Sequence, residues 1–337
     1  MTWQIDEISN KKRWSNALSL AEKFDFYHTW DFHVISRDNG EGAPVLFKIS
    51  TKNAGLLIPL LEREIPNTRY NDLTSVYGYP SPLVYGDASN DEIVSMWSGF
   101  TRHLIDSGYI SLFTRLHPLV TPEYIVDLCG IFSGKVVVID LSLSQGEQIR
   151  GYRKGHKCDI NTLKKKEVDC YHSNDEESLH FFILNYEATM RSLNASSMYF
   201  FPEFYYRDLL NASNFETRIY SCKYDNVVIC SGIFVFCGEI VQYHLSGSNP
   251  DYYRLAGTKM MIDTVRTEAF LEGKKYFVLG GGLGAAEDNL FKFKSGFSKR
   301  TENFNVIKLI LNEQEYEELS SDCKQNTDYF PKYRATK

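Results

Sequence analysis

One order of elements occurs twice in this sequence, about half a chain apart, and it constrains the fold more than any single motif. In the second half, residues 217–224, 227–237 and 240–246 are apolar, β-branched and aromatic runs divided by Asp225-Asn226 and Gly238-Glu239. Short runs split by two turn-forming residues predict a three-strand antiparallel meander. Amphipathic spacing then predicts a helix over 255–271, ended by Gly273, followed by a short buried strand at 276–279 and another at 304–311. Two helices precede the meander. Residues 176–193 place Leu179, Phe182, Ile183, Tyr186 and Met190 on one side, and 202–210 begins with a proline, whose missing N–H does no harm there.

The first half repeats this order less cleanly. Residues 45–50 and 55–61 form a hairpin through Lys52-Asn53-Ala54, and 73–79 supply a third strand. A helix over 91–105, ended by Ser107-Gly108, leads into a buried strand at 109–114. The local echo is specific: Tyr77-Gly78 precedes one helix and Gly108-Tyr109 follows it, while Tyr243 to Gly247 precedes the other and Gly273 and Tyr276 follow. At 337 residues the chain is long enough for two such domains. The expected division is 1–140, 141–312, and a C-terminal helix and tail over 313–337 packing back on the first domain. Each domain is of α/β (α+β) class, with a mixed, mostly antiparallel sheet flanked by helices.

Composition and charge remove several functions. The chain is 43% hydrophobic and 24% charged, which excludes disorder, and its net charge of −6 excludes a general nucleic-acid coat. Seven scattered cysteines include no CxxC pair, the eight histidines include no HExxH, and no metal site is expected. Cys230 and Cys237 sit in apolar strands as small hydrophobes. No basic-then-apolar leader opens the chain, and no apolar run approaches the roughly 18 residues of a membrane span. A cytoplasmic protein is expected.

The overall acidity hides two basic segments. Residues 150–166 hold seven Lys/Arg against one Asp, and 292–300 hold four with no acid. Such runs usually only solvate a surface. In the second, however, Phe291, Phe293 and Phe297 alternate with Lys292 and Lys294, a pattern suited to a phosphate-bearing ligand with a flat or apolar neighbour. The 22 tyrosines likewise suit clefts with one wet end. Gly280 to Gly284 follow a buried strand, but no long crossover helix lies behind them, so a nicotinamide or flavin site is a minor reading. Strand alternation puts Tyr243, Leu245 and Gly247 on one face and His244, Ser246 and Ser248 on the other. No nucleophile elbow surrounds either serine, and His244 reads as structural more readily than as a triad member. Arg254-Leu255-Ala256-Gly257 gives a helix start fit to seat a diphosphate, with Lys259 two residues on.

Taken together, several stretches resemble a known family. They are Leu143 to Ile149 with Tyr152-Arg153-Lys154 and Asn161; Met190-Arg191-Ser192 with Ala195; and Tyr199-Phe200-Phe201-Pro202. They continue with Tyr243 to Ser248, Leu279 to Gly282, Leu290 to Phe297, and Tyr329 to Arg334 at the end. Tyr77-Gly78-Tyr79-Pro80 adds a turn in the first domain. The combination resembles the GNAT acyltransferase fold occurring twice, in the Fem-type branch of peptidoglycan-bridge aminoacyltransferases and related surface-glycan enzymes. The resemblance implies transfer of an acyl or aminoacyl group to an amine of a nucleotide- or lipid-linked cell-wall or surface-polysaccharide precursor. The acceptor would lie beside the first domain and the donor beside the second.

The resemblance also implies roles. Lys294, paired with Phe293, matches the essential cation, which would hold donor phosphate or stabilise the oxyanion. Arg191 matches the acceptor-phosphate contact. Tyr77, Tyr79, Tyr243 and Tyr199 would line the cleft, and Asp87 matches the acceptor-side acid. Arg254, Gly257 and Lys259 form the donor seat, although acetyl-CoA enzymes carry a small residue where Lys259 stands. The long coiled-coil arm of some Fem proteins is absent, so acyl-CoA and charged tRNA both remain as the co-substrate. No tightly bound cofactor is implied. His244 is the nearby candidate for a general base, with substrate-assisted loss of the amine proton as the other route. The alternative class is a non-catalytic duplicated module that binds an anionic glycan or nucleic acid. A catalytic cleft should gather Arg191, Tyr243 and Lys294, whereas a binding module could scatter them.

Overall fold

Short polar side chains fix where many helices of this chain begin. Ser89, Ser144, Asp175, Asp288 and Asn312 each accept a hydrogen bond from a backbone N–H of the helix they precede, and Glu92 and Glu147 return the bond to complete capping boxes. The computed structural model describes residues 3–321, 323 and 329–335. In chain order the first half runs β1 Gln4–Ile8, α1 Lys11–Leu18, α2 Trp30–Asp38, β2 Ala43–Ser50, β3 Ala54–Glu64, β4 Asn71–Thr74, β5 Leu83–Gly86, α3 Asn90–Asp106, β6 Ser111–Arg115 and α4 Glu123–Cys129. It continues with β7 Ile131–Asp140, α5 Gln145–Gly151, α6 Lys154–Lys165, β8 Asp169–His172, α7 Glu176–Ser192 and α8 Glu203–Asn211. Last come β9 Glu216–Tyr224, β10 Val227–Cys237, β11 Ile240–Ser248, α9 Gly257–Leu271, β12 Tyr276–Gly280, α10 Asn289–Lys294, β13 Thr301–Ile310 and α11 Glu313–Ser320.

Two compact units result. One holds Met1–Ser133 with Phe304–Lys337, and the other holds Gly134–Asn303. Strands of the first lie in the order β1-β2-β3-β4-β6-β13, with β5 also paired to β3. Those of the second lie in the order β8-β9-β10-β11-β12-β7. Each unit has one parallel pair, β4 with β6 and β11 with β12, and the remaining pairs are antiparallel. A parallel pair needs a crossover, which α3 and α9 supply. The repeat is therefore complete, helix pair, meander, helix and strand included. Each sixth strand, however, is exchanged: β7 follows α4 but pairs with β12, and β13 follows α10 but pairs with β6 over Val306–Ile310. Residues 304–311, grouped on sequence with the second domain, thus belong to the first unit.

The cores are apolar and separate. Phe47, Leu56, Ile58, Met96, Phe100 and Ile307 pack together in the first unit, and Phe234, Val241, Met261, Ile262, Val265 and Phe277 in the second. Tyr316 of α11 is buried with Ile65 and Ile110, and its hydroxyl accepts the Lys332 N–H at 3.1 Å. The rest of the 313–337 segment lies in part outside the described residues. Among the described residues, no helix is long and apolar enough to cross a membrane.

Three local differences from the sequence expectation matter. The third strand of the first unit stops at Thr74 instead of Tyr79, because Gly78 takes a φ of +122° with the Tyr27 ring 2.0 Å from where a Cβ would sit. The helix expected from residue 255 starts at Gly257, since Ala256 is left-handed (φ 57°, ψ 39°) and closes a 3-10 turn over Pro250–Leu255. Finally, β11 is bulged. Ile233 pairs with Leu245 but Phe234 pairs with Tyr243, which leaves His244 as the extra residue.

Past that bulge, Gly247 lies against α7. A Cβ there would stand 2.2 Å from the Asn185 carbonyl oxygen and 2.3 Å from the Tyr186 nitrogen, both backbone atoms. Gly247→Ala is expected to cost about 1–3 kcal/mol, read as a lower urea midpoint at unchanged slope.

Candidate functional site

The site is built where two parallel strands part. β11 pairs with β12 only over Ile240–Gln242 against Tyr276–Val278, yet it continues to Ser248 along β10. The His244 bulge then shifts the alternation by one. Tyr243 stacks on Phe234 (ring centroids 5.3 Å apart) on the α9 face, and Ser248 Oγ on that face lies 3.1 Å from Thr258 Oγ1. Ser246 joins Tyr243 there through a hydroxyl–hydroxyl bond, and Leu245 and Gly247 turn to the α7 face. The face assignment made from plain alternation is therefore corrected for Leu245, Gly247, Ser246 and Ser248. His244 contacts α8, with its Nε2 3.2 Å from the Tyr205 hydroxyl.

Lys294 closes the gap from the other side. It is the last residue of α10, 9% exposed, and its Nζ donates to the Gly281 carbonyl at 2.8 Å. The ammonium also stands 5.8 Å from the centre of the Tyr243 ring. Burial drives its pKa down to about 8, and the only opposing influence is the Asp288 carboxylate. Asp288 caps α10 through the Phe291 N–H (2.9 Å) and also accepts the Leu283 N–H (3.1 Å), so one carboxylate folds the glycine loop and helps keep the lysine charged. Gly280 is required as glycine. Its φ is +81°, and a Cβ would lie 3.2 Å from Lys294 Nζ. Burial likewise holds the Tyr243 hydroxyl up, to about 12, so it stays a neutral donor.

The start of α9 lies beside the far end of β11, where Thr258 meets Ser248. Gly257 packs on β10, where a Cβ would meet Ile229 Cδ1 at 2.9 Å and Cys230 Sγ at 3.0 Å. Lys259 is turned away into an ion pair with Asp159 of α6. That leaves exposed Arg254 as the cation at the helix start. No described His, Cys, Asp or Glu residues group as a metal site.

The other sequence candidates make separate contacts. Arg191 is exposed near the end of α7 and bonded to Glu187 at 2.7 Å, and among the described residues no hydrogen bond or ion pair joins it to Lys294 or Tyr243. Tyr199 lies half-buried in a 3-10 turn. Phe293 packs on His156 and Phe297, both at 5.6 Å, and its carbonyl faces His156 Nε2 at 2.9 Å. With Phe291 and Phe297 in the core, the aromatic interleaving anchors α10 to α6 instead of offering rings to a ligand. Tyr77, Tyr79 and Asp87 belong to the first unit. Tyr77 is exposed in the loop after β4, Tyr79 packs on Tyr27 (5.7 Å) and Phe304 (5.3 Å), and Asp87 is exposed just after β5. Sequence reasoning missed Asp288, Asp159 and Tyr205. Only Asp288 carried a signal, an Asp three residues before Phe291 in the position of a helix cap.

Solved structures share this architecture. The chain is similar to the crystal structure of FemX with a TM-score of 0.71 at 11% identity, over 93% of this chain and 99% of that one. It is also similar to L-PGS from Bacillus licheniformis (TM-score 0.54, 13% identity, 90% of this chain and 93% of that one). A third is the tandem GNAT protein from the clavulanic acid biosynthesis pathway (TM-score 0.50, 8% identity, 91% and 98%). At such identities the likeness is one of fold, and the fold is the Fem-type duplicated GNAT fold. No family model and no curated protein matches the sequence.

The depressed Lys294 pKa has a sign that can be checked. The unfolded lysine titrates at 10.5 and the folded one at about 8, so below pH 8 the buried charge carries its full cost. As pH rises from 8 toward 10.5 the unfolded chain binds the extra proton, and stability should climb by up to about 3 kcal/mol. Urea unfolding of wild type and Lys294→Met at pH 7 and pH 10 measures this. The Met variant should be the more stable at pH 7, and the difference should shrink at pH 10.

Proposed function

We propose that the chain is an N-acyl or N-aminoacyl transferase that moves an acyl group from acyl-CoA or aminoacyl-tRNA to an amino group of a cell-wall or surface-polysaccharide precursor. The observation that carries this reading is the buried Lys294 ammonium beside Tyr243 where β11 and β12 part. The acceptor amine attacks the thioester or ester carbonyl directly, the new C–N bond forms, and the carbonyl oxygen becomes an oxyanion. Collapse breaks the C–S or C–O bond, the amine proton is lost, and the leaving thiol or hydroxyl gains one. Lys294 keeps two N–H groups beyond its bond to Gly281, in a site dry enough to strengthen each. With a pKa of about 8 it is mostly charged at neutral pH, as oxyanion or phosphate stabilisation requires. The likeness to FemX and to the tandem GNAT protein supports an acyl-transfer chemistry.

In this reading Arg254 and the α9 start hold donor phosphate, with Gly257 setting the helix against β10. Lys259 serves this seat only through its pair with Asp159. Arg191, Tyr77, Tyr79, Tyr199 and Asp87 serve the acceptor, a nucleotide- or lipid-linked precursor. His244, held by Tyr205, would take the amine proton only after a side-chain turn, so loss of that proton to solvent or substrate is the simpler route. One observation favours a second reading. Arg153, Lys154, Lys165 and Lys166 are exposed on and around α6, and such a strip would also serve a module that binds an anionic glycan or nucleic acid without chemistry.

Incubation with acyl-CoA and with charged tRNA in separate reactions distinguishes these readings. One donor should be consumed in the presence of an amino-sugar or peptidyl acceptor, and Lys294→Ala should lower turnover by about 100-fold or more with the fold intact by circular dichroism. Wild-type turnover in that variant removes Lys294 from the chemistry. Consumption of neither donor, with binding of an anionic polymer, favours the non-catalytic module.

A further inference from the structure

Three cysteines lie abreast on three neighbouring strands. In the antiparallel register, Cys170 of β8 faces Cys222 of β9, and Cys222 faces Cys230 of β10. Residues directly opposed in such a ladder share a face, with Cα atoms about 4.5–5.5 Å apart. That spacing falls within the roughly 4.4–6.8 Å a disulfide spans. All three join one apolar cluster. They are thiols in this structure. Cys222 and Cys230 are fully buried, while Cys170 is partly exposed on the outermost strand of its unit. The row also touches α9. Cys222 Sγ donates to the Gly257 carbonyl at 3.6 Å, and Gly257 sits close over Cys230 Sγ.

We propose that Cys170, Cys222 and Cys230 form a thiol–disulfide site, entered by oxidants at Cys170 and sensed at the first turn of α9. With a peroxide as oxidant, Cys170 attacks one oxygen of the O–O bond, giving the sulfenic acid and one water. The Cys222 thiol then attacks that sulfur, a second water leaves, and the Cys170–Cys222 disulfide is formed; the two thiols together have lost two electrons to the peroxide. Cys230 can next attack the Cys222 sulfur. This forms Cys222–Cys230 and returns Cys170 to its thiol, with no net redox change. The neighbouring thiols, and then burial, push the Cys222 pKa up, which agrees with Cys170 as the first to react. Either disulfide removes the S–H that Gly257 accepts, so the oxidised protein loses one anchor of the α9 start. The site stands independently of the acyl-transfer reading.

The test treats the full chain with hydrogen peroxide, blocks remaining thiols under denaturing conditions, and maps cross-linked peptides by mass spectrometry. Cys170–Cys222 should appear first and Cys222–Cys230 later, both reversed by dithiothreitol. Cys222→Ser should abolish both, and Cys158→Ser, at an exposed thiol outside the row, should leave both unchanged. Hydrogen exchange on the oxidised wild type should be faster at residues 257–260 than in the reduced protein. Oxidation that stops at sulfinic or sulfonic acid on Cys170, with no Cys222 cross-link in the wild type, overturns the proposal without relying on any variant. A Cys222 cross-link with unchanged exchange at 257–260 overturns the link to α9.

Discussion

The candidate site depends on β11 and β12 ceasing to pair after Gln242 and Val278. Two parallel strands that part leave backbone N–H and C=O groups without ladder partners, and such groups need another partner when buried. Here the chain supplies one from a distance. Gly280 turns the end of β12 at positive φ, and Lys294 reaches back to the Gly281 carbonyl. The bulge at His244 completes the arrangement, because it brings Tyr243 and Ser246 to the side where the lysine stands. Without the bulge, β11 would return to simple alternation.

Electrostatics in the second unit follow from which cations are already satisfied. Lys259 is neutralised by Asp159, and Lys164 and Arg266 both approach Asp263, so three positive groups near α6 and α9 are committed to the fold. Lys294 is different. Asp288, whose charge acts on it, spends its hydrogen bonds on backbone N–H groups, and among the described residues the hydrogen-bond partner of the lysine is the Gly281 carbonyl. A buried ammonium held by one neutral acceptor is costly to keep, which is the physical ground for treating it as functional instead of structural.

The meanders were legible because their turns are two-residue signals, Asp225-Asn226 and Gly238-Glu239, between strongly apolar runs. The parallel strand after each long helix was legible for the same reason, through Gly108 and Gly273 at the helix ends. Exchange of β7 and β13 was not, since pairing partners so far apart in sequence leave no local trace. Neither was the bulge: an alternation reads the same with or without one extra residue until its cross-strand partner is known. The phenylalanines around Lys294 misled for a related reason, because a short amphipathic helix and a ligand-stacking strip share the same spacing. Lys294 itself was found through resemblance, whereas its burial and its bond to Gly281 belong to the tertiary structure alone.

The two halves have diverged at the point where chemistry would occur. In the first unit the parallel contact shrinks to Leu73 with Leu112, and the segment matching the bulged part of β11 is an irregular loop. Gly78 of that loop is wedged on Tyr27, and Ser81 Oγ lies 3.3 Å from the Nε2 of buried His28. Burial drives His28 down to about 3, and nearby Asp25 accepts a hydrogen bond from His117 at 3.0 Å, so the place of the opening is filled by a buried polar network. The short helix before β7, α4, carries Glu123 and Asp127, whereas the short helix before β13, α10, carries Lys292 and Lys294. A filled opening cannot stabilise an anion as one with a buried ammonium can. The two units thus share a framework but not the opening: among the described residues, a buried ammonium beside a bulged strand is found in the second.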